Sequence, residues 1–108
     1  VSSDPEVQEL FFDLIARSID TERTNGAPFI AQWKFPDAEP WHVVVHNGST
    51  RAERGISPDP DVTIESSWPD FIDLGKGAIT PPRALVQRRL RMHGGVRNML
   101  RFGRLFNS

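Results

Sequence analysis

The sequence predicts an α+β fold, in which helices pack on one face of a five-stranded, twisted and mainly antiparallel sheet. Four short segments alternate apolar and polar residues, as strands do when one face is buried, and a fifth short segment follows a hairpin turn. Segments at both ends of the chain instead repeat apolar residues with helical spacing, and capping residues followed by proline mark two further helices. A chain of 108 residues is the size of one domain, and we assign residues 1–108 to it.

The first helix is predicted over residues 4–19. Asp4 can cap its start, Pro5 suits the first helical position, and Glu6 completes a capping box with Ser3. Its polar face is acidic, which favours a helix that faces the core over a membrane anchor.

A polar loop over residues 20–27 follows and contains the turn dipeptide Asn25-Gly26. A solvated loop is the simpler interpretation. The alternative is that Arg23 and Asn25 form a polar clamp at the mouth of a pocket.

The next region contains four predicted strands. The segments are strands at residues 28–35, 41–46 and 49–56, a turn at 36–40, and a tight hairpin at Asn47-Gly48. The third strand is polar on both faces, which indicates an edge strand. Val62 and Ile64 form the inward face of the fourth strand.

Two short helices, a strand and a last helix complete the chain. Ser67 caps a helix that Gly75 and Gly77 end, and Thr80 caps a second helix that begins at Pro81. The remaining segments are the strand at residues 89–93, the stop at Gly94-Gly95, and the helix at residues 96–106. Helices that leave part of the sheet uncovered would create a ligand pocket.

The last helix has two distinct faces. One is apolar, and the other carries Arg97, Arg101 and Arg104. Residues 81–108 hold seven arginines and no acidic residue, which suggests an anionic partner. An ordinary core helix with solvated arginines is the alternative interpretation.

The residue types exclude several kinds of chemistry. The chain has no cysteine, and His42 and His46 would lie ~13 Å apart along one strand, too far apart to bind one metal. His93 is isolated, and no phosphate loop or nucleophile elbow occurs. We therefore predict no catalytic residue, metal or cofactor. Nucleic acid is disfavoured because no aromatic platform is interleaved with the arginines, since the tryptophans and most phenylalanines lie at core-pattern positions.

Location and source can be predicted only broadly. No apolar run could span a bilayer, and residues 1–20 do not resemble a signal peptide, so we expect a soluble, cytoplasmic protein. Eleven arginines against two lysines favour a GC-rich bacterial source.

Five stretches in a characteristic order carry a family resemblance. They are Trp41 to Val45 before Asn47-Gly48, Pro60 to Ile64, the capped helix from Ser67 to Gly77, Pro82 to Ala84, and Arg89 to Gly94 before the last helix. In these stretches the chain resembles the sterol carrier protein 2 (SCP2-like) lipid-binding family, over nearly its whole length. The resemblance implies an apolar tunnel that binds fatty acids, fatty acyl-CoA, sterols or other lipids and performs no chemistry.

Two positions depart from the family pattern. Arg88 stands where the family usually has glycine, and it would add charge near the tunnel, which disfavours a plain sterol. Gly95 stands where the family usually has an acidic or amide residue. A weaker cap there, by about 1 kcal/mol relative to Asp, makes the last helix a candidate lid.

The candidate ligand-binding residues follow from the inward faces and the resemblance. The apolar ones are Phe29, Trp33, Trp41, Val43, Val62, Ile64, Phe71, Leu74, Leu85, Leu90, Met92, Met99, Leu100 and Phe102. Arg23 and Asn25 are candidates for a polar head group. Arg97, Arg101 and Arg104 are candidates for contact with an anionic membrane or a partner protein.

Two other functions stay open at this stage. In one, the chain is an accessory or interaction module of a larger enzyme or pathway, with a filled core and an arginine face that docks a partner. In the other, weaker one, it is a small enzyme that acts on an apolar substrate in the pocket, although no acid–base pair is evident.

Overall fold

The computed structural model describes residues 5–19, 28–46 and 48–105. In chain order the elements are α1 (Pro5–Ser18), β1 (Phe29–Phe35), β2 (Ala38–His46), β3 (Ser49–Arg54), β4 (Val62–Ser66), α2 (Trp68–Gly75), α3 (Pro81–Val86), β5 (Leu90–His93) and α4 (Val96–Leu105). All nine predicted elements are present in the predicted order, which confirms the α+β class. None of these helices is long and apolar enough to cross a bilayer.

The five strands form one open, mixed sheet in the order β3-β2-β1-β4-β5. Strand β1 runs parallel to β4, and the other three pairs are antiparallel. The polar strand β3 lies at an edge, as predicted. Its hairpin to β2 is also confirmed, because His46 pairs with Ser49 and Gly48 has a φ of 76°.

Two strand boundaries differ from the predictions. Strand β2 begins at Ala38, so the predicted turn over residues 36–40 is shorter, and β3 ends at Arg54 rather than Ile56. Thr80 occupies the capping position before Pro81, as predicted, but its hydroxyl makes no capping hydrogen bond. The Ser67 cap is confirmed, because Ser67 Oγ accepts a hydrogen bond from Asp70 N at 3.2 Å.

The aromatic core joins the first two helices to the sheet. Phe12 of α1 stacks on Trp41 with ring centroids 5.1 Å apart, and on Phe71 of α2 at 5.2 Å. Its ring also meets Trp33 edge-on at 5.4 Å. All four side chains are buried, so this cluster closes the part of the interior that lies between α1, α2 and β2.

A buried glutamine organises the opposite face of the sheet. Gln32 of β1 is fully buried because the chain crosses over it between β3 and β4. Its amide donates to Trp41 O at 3.0 Å and Gly55 O at 3.1 Å, and its carbonyl accepts from Ser57 N at 2.7 Å. These bonds hold the crossover segment against the sheet and leave the helical face free for the site.

Candidate functional site

A cavity of about 860 Å³ lies between the sheet and the four helices. Its sixteen lining residues share one property, which is that none is charged or polar. They are Phe11, Leu14, Ile15, Trp33, Ile64, Phe71, Leu74, Gly75, Pro81, Leu85, Leu90, Met92, Val96, Met99, Leu100 and Phe102.

Three neighbouring strands supply the floor of the cavity. Trp33 of β1 is in register with Ile64 of β4, and Ile64 is in register with Met92 of β5. Strand alternation turns these three side chains toward the helices. Phe102 of α4 meets the Trp33 ring edge-on at 5.8 Å, so the last helix rests on the floor at this point.

The mouth of the cavity lies between α1, α3 and α4. Four apolar lining side chains remain exposed there: Leu14 at 54%, Leu85 at 43%, Val96 at 72% and Leu100 at 60%. Apolar side chains that are both exposed and part of a cavity wall mark an opening to solvent, and exposed apolar patches of this kind are often functional.

Ten of the fourteen apolar residues predicted as ligand-binding line this cavity. They are Trp33, Ile64, Phe71, Leu74, Leu85, Leu90, Met92, Met99, Leu100 and Phe102. The other four, Phe29, Trp41, Val43 and Val62, are nearly fully buried in the core and do not line it. Strand alternation identifies the inward face of a sheet but not the part of that face that the helices leave uncovered.

Six lining residues were not predicted. Phe11, Leu14 and Ile15 belong to the apolar stripe of α1, and the others are Gly75, Pro81 and Val96. Helical spacing identified the α1 stripe as core-facing. In the structure, Phe12, Ala16 and Ile19 of this segment are buried in the filled core, whereas Phe11, Leu14 and Ile15 lie over the cavity. Periodicity does not separate these two groups.

The polar residues predicted to contact a head group or an anionic surface are not gathered in one place within the described part of the chain. Arg23 and Asn25 lie outside the described residues. Arg97 is exposed on α4, whereas Arg101 folds back onto β1. The Arg101 guanidinium lies 4.9 Å from the centre of the Phe29 ring, and its Nη2 is 3.4 Å from Pro28 O.

The arginine face of α4 is therefore not uniformly solvated. Arg101 covers part of the core, and the side chain of Arg104 is outside the described part of the chain. Arg88 was expected near the tunnel. The structure instead places it on a separate pocket together with Lys34, Arg89 and Arg91.

The histidines take structural positions. His42 is half-buried, with Nδ1 3.0 Å from Gly55 O and Nε2 3.2 Å from a Glu53 carboxylate oxygen. His93 Nε2 lies 3.6 Å from Glu65 Oε2 on the face away from the cavity. Within residues 5–19, 28–46 and 48–105, no three His, Asp or Glu side chains are grouped to hold a metal. The cavity walls can enclose an apolar group but contain no group that exchanges a proton.

Comparison with known proteins gives a family and a fold. Residues 7–108 match the alkyl sulfatase C-terminal family. An (R)-specific secondary-alkylsulfatase from Pseudomonas sp. is 26% identical over 102 residues, which are 93% of this chain and 15% of that enzyme. The solved sec-alkylsulfatase Pisa1 from Pseudomonas sp. has a TM-score of 0.75 and 25% identity over 94% of this chain and 16% of its own. The chain therefore spans about a sixth of the length of these relatives.

Sterol carrier protein 2 structures share the fold over most of both chains. The palmitated SCP2L2 from Aedes aegypti, for example, has a TM-score of 0.60 and 18% identity, over 90% of this chain and 88% of its own. Other SCP2 domains match in the same way, which confirms the SCP2-like resemblance as one of fold. The chain belongs to the alkyl sulfatase C-terminal family and has the sterol carrier protein 2 fold.

Proposed function

We propose that this chain is a non-enzymatic binding protein that takes up the alkyl or acyl chain of a single-chain amphiphile in its apolar cavity. The observation that carries the proposal is the cavity of about 860 Å³ with no charged or polar residue in its walls. Small-molecule sites in proteins typically measure about 300–1,000 Å³ and have mostly apolar walls.

The relatives narrow the chemical class of the ligand. An alkylsulfatase acts on an alkyl chain that bears a sulfate, and the palmitated SCP2L2 carries a fatty acid. Both molecules combine one apolar chain with one anionic group. We infer the same class here, an alkyl sulfate or a fatty acid. The argument from Arg88 against a sterol no longer applies, because Arg88 does not line the cavity.

The energetics favour long chains. Each buried methylene contributes about 0.8 kcal/mol, so a chain of about 12 carbons gains roughly 10 kcal/mol before losses. Ordering the ligand and the exposed mouth offsets several kcal/mol of this gain. Dissociation constants near micromolar are therefore expected for chains of about 12 to 18 carbons.

The head group stays at the mouth. Moving an anionic group into walls without a charged or hydrogen-bonding side chain would be strongly unfavourable. Arg97 directly follows the rim residue Val96 and is exposed, which makes it the candidate to meet the anion. The aliphatic part of the ligand then lies on Trp33, Ile64 and Met92.

A second candidate function is that of a substrate-holding part of a larger enzyme. It is favoured because this chain matches about a sixth of the length of an alkylsulfatase. Within a larger enzyme, the chain would hold the alkyl part of a substrate whose sulfate ester is cleaved by another part of that enzyme. This interpretation keeps the chain itself non-enzymatic. The isolated chain should then bind decyl sulfate and release no inorganic sulfate from it.

Displacement of a fluorescent fatty acid tests the proposal directly. Palmitate and decyl sulfate should displace the probe at micromolar concentrations, and native mass spectrometry should show one ligand per chain. Leu85→Asp should weaken binding by about tenfold or more, because it places a charge in the cavity wall.

The matched control is the adjacent residue of the same helix. Val86 is 83% exposed and does not line the cavity, so Val86→Asp should bind as the unaltered protein does. A folded protein that binds neither palmitate nor decyl sulfate would contradict the proposal, as would equal losses in both variants.

A further inference from the structure

A second pocket, of about 490 Å³, lies where β1 and β4 end and β5 begins. Its walls are formed by Lys34, Phe35, Pro36, Glu65, Ser66, Ser67, Asp70, Arg88, Arg89 and Arg91. We call it the basic pocket. It shares no residue with the apolar cavity. Strand alternation also turns Lys34 and Glu65 away from the face on which Trp33 and Ile64 form the cavity floor.

One of the four cations is already engaged. Arg89 Nε donates to Asp70 Oδ1 at 2.8 Å, and Arg89 Nη2 donates to Asp73 Oδ2 at 2.7 Å. The hydrogen bond that Arg89 donates to Asp70, and then the one it donates to Asp73, raise the pKa of the Arg89 guanidinium. Arg89 therefore ties α2 to the start of β5, and Asp70 is neutralised by it.

The other three cations have no such partner. Lys34, Arg88 and Arg91 make no ion pair with any acidic side chain that the structure describes. Glu65 is the remaining carboxylate of the pocket, and it lies in register between Lys34 and Arg91. One carboxylate cannot neutralise three cations, so the basic pocket keeps an excess of positive charge.

The backbone of Arg88 is also unusual. Arg88 has a φ of 60°, the left-handed conformation that a residue with a Cβ adopts at an energetic cost and glycine adopts freely. This conformation closes the end of α3, where Arg89 N donates a hydrogen bond to Ala84 O at 2.9 Å. The turn carries Arg88 into the wall of the basic pocket beside Arg89 and Arg91.

We propose that the basic pocket binds an oxyanion ester, a phosphate or sulfate on a small organic group, through Lys34, Arg88 and Arg91. Arginine and lysine supply the charge-assisted hydrogen bonds that such oxyanions require. The volume exceeds that of a bare oxyanion, and the exposed Pro36 offers an apolar wall for the organic part. The N-terminus of α2 takes no part, because Ser67 and Asp37 already accept from its amides.

The test is a titration at low ionic strength with four probes: inorganic phosphate, inorganic sulfate, phenyl phosphate and phenyl sulfate. Backbone amide shifts in nuclear magnetic resonance should map to the basic pocket, and the phenyl esters should bind several-fold more tightly than the inorganic ions. Whichever ester binds more tightly identifies phosphate or sulfate as the preferred oxyanion. Ligand binding in the apolar cavity is measured separately, by palmitate displacement. The proposal for the basic pocket and the proposed function can therefore fail independently of each other.

Arg88→Gly is the decisive variant. It should weaken phenyl ester binding by about five- to tenfold. It should at the same time raise the melting temperature by about 5 °C, because glycine relieves the strain at φ 60°. Arg83→Ala is the charge-matched control, since Arg83 is exposed on α3 and does not line the basic pocket.

Three outcomes would overturn the proposal. The first is unchanged ester binding in Arg88→Gly. The second is an equal loss in Arg83→Ala, which would indicate non-specific attraction by the basic half of the chain. The third is Arg88-dependent binding to phosphatidylglycerol vesicles without binding of either phenyl ester, which would assign the pocket to a lipid head group.

Discussion

Gly94 lies directly against Asp61, so close that a Cβ atom on Gly94 would come within 2.7 Å of the Asp61 carbonyl oxygen. The same oxygen accepts a hydrogen bond from Asn98 Nδ2 of α4 at 3.1 Å. This contact joins the end of β5, the start of β4 and the first turn of α4. The position of the last helix over the cavity therefore depends on a residue without a side chain.

Gly94→Ala should destabilise the protein by about 2 to 4 kcal/mol. The added Cβ would meet backbone atoms that cannot easily move. In addition, the φ of 138° at Gly94 is a conformation that alanine adopts only at an energetic cost. Urea denaturation provides the measurement. Gly75→Ala is the control, since Gly75 ends α2 with open space around it, and it should be neutral or slightly stabilising. Equal stability of the two variants would show that the contact is not restrictive.

The two glycine positions illustrate what sequence reasoning can reach. Gly94-Gly95 was identifiable as a strand stop, but the approach of Asp61 depends on a contact between residues far apart in the chain. Likewise, the SCP2-like resemblance leads us to expect glycine at the position of Arg88. The φ of 60° at Arg88 explains why glycine would suit this position. That backbone angle cannot be predicted from the sequence of this chain alone.

Gln32 carries the second prediction. Gln32→Leu keeps the size of the side chain but removes the acceptor of Ser57 N and the donor to Gly55 O, both in buried or half-buried surroundings. Leaving these groups unpaired should lower the free energy of unfolding by about 2 to 4 kcal/mol. Hydrogen exchange of the Ser57 amide should accelerate more than that of amides in β2.

Gln87 offers the control for this change. It is exposed at the end of α3, so Gln87→Leu should alter stability by no more than about 0.5 kcal/mol. Slow exchange at Ser57 in the Gln32→Leu protein would mean that other contacts hold the crossover segment.

The cavity could be predicted as a type of site but not in its outline. Alternation identified Trp33 and Ile64 as inward, and they form its floor. Phe29 and Val43 have the same pattern and lie in the filled core. A cavity is a region that the side chains of several elements fail to fill, so it depends on how those elements pack and not on the period of any one of them.

Leu100 tests the mouth of the cavity. Leu100→Asp should weaken palmitate binding by about tenfold, because it adds a charge where an acyl chain would enter. Stability should change by less than about 1 kcal/mol, since Leu100 is already 60% exposed. Arg51→Ala, on the distant edge strand β3, should bind normally. A similar loss of binding in both variants would place the ligand elsewhere.

Gly95 tests whether α4 acts as a lid. Gly95 O accepts the first helical hydrogen bond, from Met99 N at 3.0 Å, so Gly95 occupies the capping position. Gly95→Asp would add a capping carboxylate near the positive end of the helix, and a Cβ there meets no atom within 4 Å. We expect a gain of about 0.5 kcal/mol, which corresponds to a melting temperature higher by roughly 2 to 4 °C.

The rate of ligand release distinguishes whether α4 is a moving lid or a fixed wall of the cavity. If α4 must lift for a ligand to pass between Leu14, Leu85 and Leu100, a better-anchored first turn should slow palmitate release in stopped-flow displacement. Gly75→Asp adds the same charge at a cavity residue outside α4 and controls for electrostatic repulsion of the ligand. A release rate unchanged in Gly95→Asp, despite the higher melting temperature, would show that ligands pass without movement of the start of α4.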